Sequence, residues 1–105
     1  MAFKEVALIR CPDAELEKHR CEIETPKYKL FVRTVRNQGQ AVEICQSLVK
    51  EEGIHSILLC AGFTYKNIAQ IAEVVGPNVG ISVARGDGPS NKVTAAVMEK
   101  EGWFQ

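Results

Sequence analysis

Two cysteines that follow apolar runs are the residues of this 105-residue chain best placed to do chemistry. Val6-Ala7-Leu8-Ile9 leads to Cys11, and Ile57-Leu58-Leu59 leads directly to Cys60, with Gly62 and Thr64 just beyond. A thiol that ends a buried strand and precedes a helix sits near the amide dipoles of the first turn, which favour an anion and lower a thiol pKa. On that reading Cys60 and Cys11 are candidate nucleophiles or acid/base groups. Cysteine is also a small apolar side chain common in cores, and the same two positions suit plain packing at a strand-helix junction. Cys45 is read as core filling, and Cys21 receives no role. His19 is the third catalytic candidate because an imidazole titrates near neutrality, although its place beside Leu16 and Ile23 also suits a core or interface histidine.

A ligand site is expected around these groups, lined by Asp13, Cys60, Gly62, Thr64 and Arg85. The loop Arg85-Gly86-Asp87-Gly88-Pro89-Ser90-Asn91 offers amides and one cation that suit a phosphate or carboxylate, and equally makes an ordinary turn with a helix cap. Its glycine spacing fits neither a Walker loop nor a dinucleotide fingerprint. Cys11, His19 and Cys60 have no metal-ligand spacing, so no metal is assigned, and nothing in the chain calls for a cofactor.

The elements that would position these residues follow from periodicity. Val6–Ile9 forms a first strand ending near Cys11. Asp13 is placed to cap a helix from about Ala14 to Glu24, with a thin stripe of Leu16, His19, Arg20 and Ile23, stopped by Thr25-Pro26. Tyr28–Val35 alternates as a second strand, and its Lys29 and Arg33 suit a sheet edge. Asn37 and Gln40 open a helix carrying Ala41, Val42, Cys45, Leu48 and Val49, which Gly53 stops. Ser56–Cys60 is the third and most apolar strand. Thr64 caps a further helix with Ile68, Ile71, Ala72 and Val75 on its buried face, and Phe63 and Ile68 stand at the positions of a hydrophobic staple. Val79–Ala84 is the fourth strand, before a last helix with Val93, Ala96 and Val97.

Alternating strands and helices predict an α/β fold: one three-layer domain over residues 1–105, with a four-stranded parallel sheet and helices on both faces. Placing the charged second strand at an edge and the apolar third inside gives the order 2-1-3-4, the flavodoxin-like order. Between the first and third strands the chain leaves in opposite directions, and ligands in open α/β sheets bind at such a switch point beyond the carboxyl ends. Cys11 and Cys60 would then flank one crevice.

Composition narrows the partners. Thirteen basic and thirteen acidic residues cancel, which excludes a nucleic-acid protein whose affinity rests on excess positive charge. No apolar run is long enough to span a bilayer, and Met1-Ala2-Phe3-Lys4-Glu5 has no signal-like pattern, so a cytoplasmic protein with free thiols is expected. At 11.6 kDa, area scaling gives roughly 5,800 Å² exposed when folded. A homo-oligomer, as a two-fold dimer, is expected because the first helix has too thin a stripe to cover its sheet face. The aromatic pair Trp103-Phe104 would pack across that interface or over the thin face.

Glu17-Lys18-His19-Arg20, Ile23-Glu24-Thr25-Pro26, Cys60-Ala61-Gly62-Phe63 and Ile71-Ala72-Glu73-Val74-Val75-Gly76 together resemble a family of small prokaryotic proteins known as a domain of unknown function, over about Asp13 to Asp87. The chain departs from that family's pattern at Leu58, Ala61, Thr64 and Gly86. The loop after Cys60 is also partly similar to the phosphate-cradling loops of low-molecular-weight tyrosine phosphatases and sugar-transport phosphocarrier domains. The phosphatase loop needs an arginine six residues after the thiol, where Lys66 stands, and a lysine lacks the planar bidentate contact. The Cys11 and Cys60 pair resembles the two thiols of aspartate/glutamate-type racemases, which set them in two lobes. Three functions are therefore carried forward: a binder of a small anionic metabolite at the carboxyl-end crevice, a thiol-dependent isomerase-like or transferase enzyme using Cys60 or Cys11, and a self-association module.

Overall fold

The computed structural model describes residues 1–104. In chain order the elements are β1 (Phe3–Arg10), β2 (Arg20–Thr25), β3 (Tyr28–Val35), α1 (Gln38–Glu52), β4 (Ser56–Leu59), α2 (Tyr65–Val75), β5 (Gly80–Val83) and α3 (Gly88–Lys100). One five-stranded sheet has the order β2-β3-β1-β4-β5. The β1–β3, β1–β4 and β4–β5 pairs are parallel, whereas β2 pairs antiparallel with β3.

The four-stranded, purely parallel sheet is therefore corrected to a mixed sheet of five strands. The segment read as the first helix is the source. Ala14 to His19 is a turn-rich connection, and Arg20–Thr25 is a strand that turns through Pro26-Lys27 into β3. In this hairpin the Lys27 N–H donates to the Thr25 hydroxyl at 3.3 Å. β3 is thus an inner strand, and β2 is the edge.

Register explains why the charge on β3 misled. Arg33 stands opposite Arg20 on β2 and Leu8 on β1, on the helix-covered face, and is only 2 % exposed. Its guanidinium donates to the Cys21 and Val32 carbonyls, lies 3.5 Å from the Glu22 carboxylate and stacks over the Phe31 ring. A buried cation needs such partners, and β2 supplies two of them.

The helix-covered face carries the core. Val6, Leu8, Phe31, Val35, Ile57 and Leu59 project from the sheet onto Ala41, Cys45 and Leu48 of α1 and Ile71 of α2. Asn37 caps α1 by accepting from the Gln40 N–H at 2.8 Å, and Gly53 ends it at φ +65, where a side chain would be strained. Thr64 and Asn67 form a reciprocal capping box at α2, with the Phe63 side chain buried beside Ile68. Right-handed crossovers that progress in one direction across a sheet put their helices on one face, and the α1 and α2 crossovers do so. The helices are joined there by the Gln38 amide, which donates to the Asn67 carbonyl and the Gln70 side chain. Helices on both faces are thus a second correction. α3 has no buried residue, and among the described residues no helix packs along the opposite face of the sheet.

Candidate functional site

The carboxyl ends of β1 and β4 lie side by side, and the chain leaves them in opposite directions, β1 toward β2 and β4 through α2 toward β5. A cleft of about 480 Å³ opens there, lined by Ile9, Arg10, Cys11, Pro12, Arg36, Cys60, Ala61, Gly62, Met98, Trp103 and Phe104. Three strand ends and the last turn of α3 build it. The walls are largely apolar, and Arg10 and Arg36 are the charged residues among them.

Cys60 follows β4 directly. Its N–H donates to the Leu8 carbonyl at 3.1 Å, and its Sγ accepts the Arg10 main-chain N–H at 3.4 Å, so the sulfur takes the place of the next ladder carbonyl. A Cβ added at Gly62 would lie 3.5 Å from that sulfur, ordinary contact that would narrow the approach to it. The sulfur's partner is thus a strand amide of β1 rather than the first turn of α2, whose capping box serves its own amides.

Cys11 follows β1, and its N–H donates to the Val35 carbonyl at 2.9 Å. Its thiol donates to the Asp13 carboxylate at 3.1 Å. Burial, and then this bond to an acceptor that favours the protonated form, raise the Cys11 pKa. The two sulfurs of the cleft therefore have opposite hydrogen-bond roles: Cys11 donates and Cys60 accepts.

Arg10 is half-buried and lies over the Phe63 ring at 5.8 Å, while Arg36 is exposed just beyond β3. Neither guanidinium takes part in a salt bridge among the described residues. Trp103 is half-buried and Phe104 exposed, and both stand on the wall of this chain's own cleft.

Of the residues expected to line a site, Cys60 and Gly62 stand on the wall of this cleft, together with Cys11. Asp13 stands behind Cys11 as the acceptor of its thiol. Thr64 is occupied in capping α2, and Arg85 is exposed and paired with Asp87 at 3.1 Å, away from the cleft. His19 is exposed in the β1–β2 connection, where its Nδ1 accepts the Glu15 N–H at 2.9 Å and its carbonyl accepts the Thr34 hydroxyl. That is a turn-fixing role.

Arg10, Arg36, Met98, Trp103 and Phe104 are among the cleft-lining residues that the sequence reading did not place there. A cation at the carboxyl end of β1 and another directly after β3 were the available signal for the arginines. Nothing local marked the α3 end as cleft wall, because its place is set by tertiary packing. Among the described residues no group of three or more His, Cys, Asp or Glu side chains could hold a metal ion.

Residues 3–99 match the model of a family of unknown function (DUF6506), and the chain belongs to that family. No curated protein and no solved structure matches the chain.

Proposed function

We propose that this protein binds a small anionic molecule with an apolar or aromatic body in the carboxyl-end cleft between β1 and β4. The observation that carries the reading is two arginines, Arg10 and Arg36, which have no salt-bridge partner among the described residues and line a cleft walled mainly by apolar residues such as Ile9, Pro12, Met98, Trp103 and Phe104. Guanidinium groups suit a carboxylate or phosphate, and an apolar wall around a few polar groups is the usual make-up of a small-molecule pocket. The volume of about 480 Å³ admits a metabolite of drug-like or smaller size. The position is the switch point at which open α/β sheets hold ligands.

Thermal unfolding with millimolar benzoate, phenyl phosphate and the neutral benzamide tests this. The two anions are expected to raise Tm and benzamide to leave it unchanged. A response to none of them, or the same response to all three, would count against an anion site.

A second reading is favoured by the opposed roles of the two thiols. A sulfur that accepts and a sulfur that donates, both on one cleft, are the polarity needed to take a proton from a bound acid and return one. Deuterium exchange from solvent into a bound carboxylate's α-carbon, lost in Cys60→Ala, is its signature; no exchange above the solution background would remove it.

A further inference from the structure

The protein exposes 7087 Å², whereas a compact monomer of its mass exposes roughly 5,800 Å². Its radius of gyration is 14.2 Å, against about 13 Å for a compact domain of this length. The excess is on the order of 1,300 Å² by the same scaling, and two apolar surfaces are open to contribute to it. One is the sheet face opposite α1 and α2. Register puts Phe3, Ile9, Ile23, Leu30, Val32 and Leu58 on it, with Phe3, Ile9, Ile23 and Leu58 between 37 and 53 % exposed. The other is α3, where Val93 is 70 % and Val97 57 % exposed.

These two surfaces are complementary in kind. A sheet face with apolar side chains lacks a helix, and a thirteen-residue helix with an apolar stripe lacks a sheet. An isolated helix of that length is marginal in water and relies on packing. At roughly 100° per residue, Met98 points well away from the Val93–Val97 stripe. Met98 faces its own chain's cleft, so the stripe is left to face outward.

We infer a two-fold homodimer in which the open sheet face of each copy is covered by the other, with the Val93–Val97 stripe of α3 laid along it. Five strands about 4.8 Å apart and up to eight residues long outline a face on the order of 500 Å². The helix stripe brings this toward the ~800 Å² per partner of a stable interface, which the excess exposed by the single chain is large enough to supply. A reciprocal exchange is isologous and closes at two copies, which leaves neither surface free to propagate. The inference is independent of the cleft's ligand.

Sedimentation equilibrium of the full chain at micromolar concentration, with Leu58→Asp on the sheet face and Val97→Lys on the helix, tests it. The native protein is expected at twice its 11.6 kDa and each variant at the monomer mass, with native circular dichroism. An equimolar mixture of the two variants is expected to recover the dimer, because one native contact and one Asp–Lys contact then form. A monomeric native protein, or a dimer that survives both substitutions, overturns the proposal. Monomeric variants that fail to recover on mixing overturn the helix exchange.

Discussion

The main-chain N–H of Arg10 donates to the Sγ of Cys60 at 3.4 Å, across the parallel pair β1–β4, at the point where the cleft begins. This contact joins the carboxyl ends of the two strands from which the chain departs in opposite directions. It also fixes where the sulfur stands relative to the Arg10 side chain. The same bond therefore belongs both to the sheet and to the site.

Removing the acceptor has a defined cost. Cys60→Ala leaves the Arg10 N–H without its partner and is expected to destabilise by about 1 kcal/mol in urea unfolding, while Cys60→Ser, which keeps an acceptor, loses less. An alanine variant as stable as the native protein, and as stable as the serine one, would show that the contact contributes nothing.

Cys45 sets a pH dependence. Burial among the α1–sheet side chains pushes its thiol from 9.0 to about 12. As pH rises, the unfolded chain gives up this proton first, so the contribution is complete below pH 9 and is lost between about 9 and 12, with a limiting slope of about 1.4 kcal/mol per pH unit. Tyr28, raised mainly by donating its hydroxyl to Glu5 at 2.8 Å, acts in the same direction. Urea unfolding at a series of pH values is expected to show this decline, shallower in Cys45→Ala. An unchanged slope in that variant would contradict the assignment.

Native-state alkylation separates the thiols. Exposed Cys21 and half-buried Cys60 are expected to react with iodoacetamide at pH 8, and Cys45 only through unfolding. Modification of Cys45 as fast as Cys60, read by peptide mass, would contradict the packing described.

Thr64→Ala is expected to lower stability by about 1 kcal/mol through loss of the α2 capping box, with anion affinity unchanged. A variant that keeps its stability but loses affinity would put Thr64 in the site after all.

Much of the fold was legible because local chemistry and burial agree in β1, β3, β4 and both covering helices. Thr64, Phe63 and Ile68 specify the start of α2 from the sequence alone, as Gly53 specifies the end of α1. β2 was missed because all six of its residues are exposed, so its hydrophobic content is as weak as that of a surface helix. Its signal was the strict alternation Arg20-Cys21-Glu22-Ile23-Glu24-Thr25, followed by Pro26-Lys27 at two-residue hairpin spacing. The cleft was half legible. Cys11, Cys60 and Gly62 follow from strand ends, whereas Trp103 and Met98 reach the cleft through the path of α3, which no short-range pattern encodes.

Trp103 is the chain's single tryptophan and lines the cleft, so its fluorescence reports occupancy of the proposed site directly. Titration with benzoate is expected to change the emission saturably, with benzamide giving no saturable change. Arg10→Gln and Arg36→Gln are each expected to weaken benzoate at least tenfold, about 1.4 kcal/mol. Emission that does not respond to benzoate, or a response that persists unchanged in both arginine variants, would contradict an anion site at this cleft.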